Sequence, residues 1–289
     1  MTREQLRGTG VALVTPFKED LSVDYDALTR LLTFVIDGGV NYIVVNGTTA
    51  ESVTTSTEEK AEILRVIKKQ VNGRVPLVYG IGGNHTQQVL DTVASTDLEG
   101  ITAILSVSPY YNKPSQQGIY QHYVQIANAS PVPVILYNVP GRTGSNVTAD
   151  TTLKLALHEN IIGIKEASGN LEQCMAIAKH KPADFMLISG DDLLTIPMAA
   201  FGAEGVISVL ANAFPEKFSK MIALALDNNF KEASALLNDF VDLNPLMYEE
   251  GNPVGVKAVL ERFGVCSPYV RLPLIEASAG LKDRLYKLL

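Results

Sequence analysis

Short apolar runs, rich in β-branched residues, recur along the chain and alternate with longer stretches whose apolar positions repeat every three or four residues. The runs cover residues 11–14, 42–45, 77–79, 102–107, 132–137, 161–164, 186–189 and 206–209. They are apolar at successive positions rather than at alternate ones, which is what a strand covered on both faces requires. Most intervals lie near the roughly 30 residues of a strand–helix–strand unit and shorten at the last two. Eight such units close into a barrel, so the expected fold class is α/β, a (β/α)8 TIM barrel.

The helical stretches carry their own start and stop signals. Asp24 is placed to cap a helix whose Leu28, Leu31, Leu32 and Val35 form one apolar stripe before Gly38 and Gly39. Ser56 and Glu59 have capping-box spacing ahead of Ile63, Val66 and Ile67. From about Pro215 onward the pattern is purely helical, and Asn229 to Leu289 holds apolar periodicity broken by Asn252, Pro253, Gly264 and Pro273. The expected organisation is a catalytic barrel over residues 1–228 and a C-terminal helical region, an extension to the barrel, over 229–289.

Composition narrows the partners. A chain of 289 residues that is 46% hydrophobic can bury one large core. A formal net charge of -7 and a pI near 5.2 disfavour a surface for nucleic acid or anionic membrane, which attract Lys and Arg excess. Cys174 and Cys266 stand alone, and the four histidines at 85, 122, 158 and 180 are scattered, so neither a disulfide framework nor a metal site is expected. The first ten residues are polar, and no run of about 18 uncharged apolar residues occurs. A soluble, cytoplasmic protein acting on a small molecule is the expectation.

In a parallel barrel, chemistry sits where strands end at their C-termini, so the residues following each run are the informative ones. The second run exits into Gly47, Thr48, Thr49, Ala50, Glu51 and Ser52; the fourth into Ser108, Pro109, Tyr110 and Tyr111; the fifth into Asn138, Pro140, Gly141 and Arg142. The sixth ends in Lys165. Period-two alternation places Ile161, Gly163 and Lys165 on one side of their strand, and if that side is the lumen, desolvation disfavours the ammonium and exposes a nucleophilic amine. A lysine just past a strand and pointing into water is the plain alternative. Tyr137 ends the neighbouring strand, about 4.8 Å away, from where a phenol can shuttle protons. Thr48 and Thr49 can bind a carboxylate and relay a proton, or serve only as turn chemistry. Arg142, in a Pro-Gly-Arg-Thr-Gly loop, can grip a carboxylate with two parallel hydrogen bonds, although surface arginines commonly bind nothing in particular. The glycines at 80, 82, 83 and 190 resemble barrel phosphate sites only weakly.

With GTTAES, SPYYNKPSQQG, YNVPGRTG, GIKEASGN and SGDD in this order at successive strand ends, the chain closely resembles the dihydrodipicolinate synthase and N-acetylneuraminate lyase family. The resemblance spans nearly the whole chain, from VALVTPF at Val11 to RLPL at Arg271. It implies a class I aldolase-like lyase without cofactor, in which Lys165 forms an imine with pyruvate and Tyr137 is the general acid/base. Thr49 and the backbone at Ile207 would hold pyruvate, with Gly190 in the same pocket. GTT, the double tyrosine, PGRTG and NPVGVKAVL with RLPL resemble the synthase branch. There Thr48 and Tyr111 complete a proton relay with Tyr137, Tyr111 enters a neighbouring subunit's site, and a homotetramer built as a dimer of dimers is the usual assembly. Arg142 would bind the carboxylate of L-aspartate 4-semialdehyde.

Three positions depart from the family's pattern. Ala50 replaces the glycine of GTTGES, and Lys60 and Gln88 replace the histidine and acidic residue of lysine-inhibited members, while Asn84 and Tyr110 are retained. The rival readings are another pyruvate lyase or 2-keto-acid aldolase of the same fold, and a catalytically silent barrel that binds a metabolite.

Overall fold

Each apolar run becomes a strand, because β-branched side chains pack well on a pleated surface that is buried from both sides. The computed structural model describes residues 2–289. It contains β1 (Gly8–Ala12), β2 (Tyr42–Val45), β3 (Leu77–Gly80), β4 (Ala103–Val107), β5 (Val134–Asn138), β6 (Ile161–Glu166), β7 (Met186–Ser189) and β8 (Gly205–Ser208). Consecutive strands pair in parallel and β8 pairs back with β1, giving the closed barrel the run count implies.

The first strand lies earlier than its apolar run, starting at Gly8 rather than Val11. Gly8, Thr9 and Gly10 give no apolar signal, yet Gly10 has to be bare: a Cβ there would stand 2.3 Å from the Tyr42 ring. Alternation then sorts the strands into two layers. Ala12, Val44, Val78, Leu105, Ile135 and Ile207 fill the lumen. Val11, Ile43, Ile104, Leu136, Ile164 and Leu187 face outward into the layer beneath the helices.

One expectation about this alternation is corrected. Ile161 does not share the side of Gly163 and Lys165, because the register between β5 and β6 shifts between Val134 and Ile135. A bulge inserts one residue and reverses the facing of what precedes it. Ile161 therefore packs in the outer layer while Ile162 touches the lumen cluster. Beyond the bulge Tyr137 stands opposite Lys165.

The helices follow their caps. Helix α1 (Tyr25–Asp37) starts where the Asp24 carboxylate accepts from the Ala27 amide, buries Leu28, Leu31, Leu32 and Val35, and ends at Gly38. Helix α2 (Thr57–Val71) carries the full Ser56–Glu59 capping box. Helices α3 (Thr86–Ser95), α4 (Gln116–Ala129), α5 (Ala149–Leu155), α6 (Leu171–His180), α7 (Thr195–Ala200) and α8 (Pro215–Leu226) complete the ring. Four more follow: α9 (Phe230–Val241), α10 (Leu243–Leu246), α11 (Val254–Arg262) and α12 (Ala279–Lys287). Helix α11 is buried from Val254 through Leu260, so this part of the chain is packed into the body of the protein. No described helix is long and apolar enough to cross a membrane.

His122, on α4, sits between helices with Nδ1 2.9 Å from Thr86 Oγ1 at the start of α3. Its Nε2 is buried without a partner. Burial pushes the imidazole down to about 4 from its ordinary 6.5. A group depressed in the folded state contributes stability that is complete above the unfolded value and lost as pH falls toward the folded one. His122→Gln should therefore remove part of the fall in Tm between pH 7 and pH 4.5. Thermal unfolding of both proteins across that range checks this, since slopes from other groups cancel in the difference; parallel curves would refute it.

Candidate active site

Lys165 lies in the last turn of the barrel wall, one residue before β6 ends, and is 6% exposed. Its Nζ stands 4.3 Å from the centre of the Tyr137 ring, on the strand alongside. Alternation sends the next pair outward, and there the chain builds a clamp. Asn138 Nδ2 donates to both oxygens of the buried Glu166 carboxylate at 3.1 and 3.0 Å. Glu166 also accepts from Gln173 Nε2 at 2.9 Å and from the Ser168 amide at 2.8 Å. The clamp fixes the ends of β5 and β6 behind the two lumen-facing side chains, and every polar group in it is satisfied as burial demands.

A cavity of about 1220 Å³ opens at the C-terminal ends of the strands, and the structure brings most of the expected residues to its wall. Lys165, Tyr137, Thr48 and Thr49 line it, as do Arg142, Gly190 and Ile207. Arg142 sits on a helical turn, Pro140–Thr143, closed by Gly144, rather than on an irregular loop. Tyr111 is not brought to this cavity: its side chain is 88% exposed and its backbone takes the left-handed region at φ 73°. Asn84, Gln88, Tyr110 and Lys60 line an outward extension of the same cavity, where burial lowers the Lys60 ammonium below its ordinary range.

The threonine turn is held from far along the chain. Thr48–Ala50 forms a single 3-10 turn that ends at Glu51 in the left-handed region, φ 54°. The Glu51 carboxylate meets Lys257 Nζ at 2.6 Å and the Arg271 amide at 2.9 Å. Burial lowers the Lys257 ammonium despite the opposing pull of Glu51. Asn252 Nδ2 donates to Thr49 Oγ1 at 3.0 Å, and the Ala50 carbonyl accepts from Thr15 Oγ1 at 2.8 Å, so the Ala50 methyl is accommodated within a buried turn. Glu51, Lys257, Asn252 and the cavity-lining Tyr248 were not singled out from the sequence as site residues. Glu51 lay in GTTAES, Asn252 and Lys257 in NPVGVKAVL and Tyr248 in no motif, and neither stretch says anything local about a partner 206 positions away.

The side chain of Lys165 needs room, and Gly190 supplies it. A Cβ at Gly190 would lie 2.6 Å from the Ala167 methyl and 3.0 Å from Lys165 Cε. Just beyond Gly190, the Asp192 carboxylate bridges the exits of β7 and β8, accepting from the Val209 and Leu210 amides at 3.1 and 2.9 Å. Among the described residues, no group of three His, Cys, Asp or Glu side chains converges as a metal site would need.

Fold and site together define a class: a (β/α)8 lyase with a lysine amine in the barrel mouth against a phenol. The chain belongs to the dihydrodipicolinate synthetase family, whose model matches residues 5–289. A 4-hydroxy-tetrahydrodipicolinate synthase of Cytophaga hutchinsonii is 58% identical over 274 residues, covering 95% of this chain and 92% of that one. Among solved structures, the chloride-inhibited dihydrodipicolinate synthase of Acinetobacter baumannii, complexed with pyruvate, superposes with a TM-score of 0.95 at 37% identity. It covers 98% of this chain and 97% of its own. A monomeric dihydrodipicolinate synthase variant matches with a TM-score of 0.95 at 34% identity, over 99% of this chain and 96% of that one.

Gly190→Ala should displace Lys165 and slow its reaction with a keto acid by about tenfold or more, since sub-ångström misplacement of a reacting group carries penalties of this order. Borohydride trapping of the pyruvate imine against time measures this, and an unchanged trapping rate would show that the contact is relieved elsewhere.

Proposed function

We propose that this chain condenses pyruvate with L-aspartate 4-semialdehyde through an imine at Lys165, releasing 4-hydroxy-tetrahydrodipicolinate for the diaminopimelate and lysine route. The observation that carries the reading is the buried Lys165, its amine against the Tyr137 ring in a cavity that Arg142 also lines. The relatives that bear the synthase name support it.

In this reading, Lys165 attacks the pyruvate carbonyl, and Tyr137 delivers and removes protons as water leaves. Thr49 and the backbone at Ile207 hold the keto acid. The resulting cationic imine draws electrons from the adjacent methyl group, which loses a proton to give an enamine. The enamine carbon then bonds to the aldehyde carbon of the second substrate, whose carboxylate Arg142 grips. Finally the substrate amine attacks the imine carbon, the C–N bond to Lys165 breaks, and the six-membered ring is closed with the lysine free again. Lys165 supplies the electron sink, so no cofactor is assigned to any step.

Thr48 and Tyr111 complete the proton relay with Tyr137. Since Tyr111 projects away from the cavity of its own chain, the relay is completed by a second copy, with a dimer as the minimal unit and a homotetramer as the assembly. The reaction is placed in the cytoplasm. Lys60 and Gln88 set a cation and a neutral amide where lysine-inhibited members carry a histidine and an acid, which weakens any attraction for lysine there.

Incubation with pyruvate and borohydride, followed by peptide mass mapping, should give one adduct, at Lys165. Aspartate semialdehyde should then be used in preference to N-acetylmannosamine. Absence of the adduct would reject the imine chemistry, and preference for the sugar would reject the synthase reading. Tyr111→Phe should lower turnover with aspartate semialdehyde by about 10²-fold, the low end of what general acid/base groups contribute, while leaving Tm unchanged. Full turnover in this variant would remove Tyr111 from the relay.

A further inference from the structure

The second substrate in the reading above is an α-amino acid as well as an aldehyde, and a cation-binding group for its ammonium is not among the residues given roles so far. Just past the end of β7, the strand that pairs with β6, stand two consecutive carboxylates, Asp191 and Asp192, immediately after Gly190, whose backbone packs against Lys165. Both line the cavity.

Their surroundings differ in a telling way. One oxygen of Asp191 is tied down, Oδ1 accepting from the Leu193 and Leu194 amides at 3.0 and 3.2 Å. Its Oδ2 receives no donor from the described residues and is not among the buried unpartnered atoms, so solvent reaches it. Asp192 is 2% exposed, and its Oδ1 is fully buried with no donor. The two backbone amides on Oδ2 and the neighbouring Ser208 hydroxyl stabilise the charge only in part, and a buried carboxylate gains further from a nearby cation. Burial, together with the charge of Asp191, pushes the Asp192 carboxyl up to about 6.

A third group completes the wall. Tyr248, between α10 and α11, lines the cavity and lies within electrostatic reach of Asp192, Asp191, Tyr137 and Arg142. The cavity thus presents a cation, Arg142, past β5 and a pair of anions past β7, with Lys165 on β6 between them. A ligand that carries both a carboxylate and an ammonium finds a counter-charge for each in that arrangement.

We propose that Asp191, backed by Asp192 and Tyr248, is the subsite for the ammonium of an α-amino aldehyde acid, and so sets which end of that substrate faces Lys165. The proposal rests on the reading given under Proposed function and adds to it the group that selects for an amine. Orientation matters because the same nitrogen later attacks the imine carbon at Lys165, and a subsite just past β7, the strand paired with β6, keeps it near that carbon.

Asp191→Asn tests this with little structural change, because the amide oxygen still accepts from Leu193 and Leu194 while the open oxygen becomes a donor. The KM for aspartate semialdehyde should rise by about tenfold or more, the range expected when a hydrogen bond to a charged group is lost. Formation of the borohydride-trapped pyruvate adduct at Lys165 should stay within about twofold of wild type on the same grounds, since pyruvate has no amine to lose a contact. Succinic semialdehyde, which lacks the amine, should compete equally well in wild type and variant.

An unchanged KM for aspartate semialdehyde overturns the proposal. So does a parallel loss for pyruvate or for succinic semialdehyde, either of which marks Asp191 as merely structural. On wild-type protein alone, succinic semialdehyde should bind about tenfold more weakly than aspartate semialdehyde by the same bond count; equal binding overturns the proposal even if the variant does not fold. If wild type itself gives no adduct with pyruvate, the broader reading fails and this one with it. An active wild type paired with an unaffected variant sinks only the subsite.

Discussion

The register between β5 and β6 is the constraint from which the site follows. In a closed parallel barrel a side chain has only two directions, into the lumen or out toward the helices, and a slip of one residue exchanges them. With Tyr137 paired to Lys165, both point inward at the rim, while Asn138 and Glu166 point outward into a buried polar clamp. The slip that would turn Lys165 outward would also place the Glu166 carboxylate in the lumen and strip it of Asn138 and Gln173. The polar clamp and the reactive pair therefore enforce the same register, which is a more demanding specification than apolar packing alone provides.

The last quarter of the chain acts on this rim through buried charge. Lys257 and Glu51 are both almost wholly enclosed, and removing one partner of such a pair costs about 3–5 kcal/mol, chiefly because the other charge is left without compensation. Replacing both by apolar groups would be far milder, so the pair adds more to geometry than to stability. Its geometric role is clear from what hangs on it: Glu51 closes the turn that carries Thr48 and Thr49, and Arg271, whose amide joins the same carboxylate, reaches on to Glu59 at the start of α2. Asn252 adds a direct bond to Thr49. The C-terminal helices are in this sense part of the site's framework.

How much of this could be read from the residues in order depends on the range of the rule involved. Strands, caps and the barrel were legible because alternation, capping boxes and unit spacing act over a few positions, as Asp24, Ser56 and Glu59 show. The inward facing of Lys165 was legible for the same reason, although Ile161 was assigned the wrong side, since nothing in the run itself marks Ile162 as a residue left unpaired by β5. The early start of β1 was hidden because the close approach of Tyr42 admits only glycine there. Contacts made across most of the chain, such as Glu51 with Lys257 and Thr49 with Asn252, leave no periodic trace. The resemblance of NPVGVKAVL to a known family pointed to that stretch, but only the folded chain shows what it touches.

Backbone strain at the rim distinguishes what one chain can stabilise from what it cannot. Asn46, Glu51 and Tyr111 all take the left-handed region without being glycine, at roughly 1–2 kcal/mol each. At Asn46 the strain is offset by a side-chain bond to the Gly80 carbonyl at 2.8 Å, and at Glu51 by the buried pair with Lys257. Tyr111 has only a backbone bond, its amide donating to Thr143 at 3.3 Å, and its ring lies in the open. A bulky aromatic held in an unfavourable backbone conformation, with its apolar surface exposed, is stabilised within this chain by nothing comparable. Under the proposed reading the missing contact comes from the mouth of a second barrel, where burying the ring would offset the strain and bring its hydroxyl to Thr48 and Tyr137. Assembly would then be a condition of turnover, because the same residue that closes the interface completes the relay.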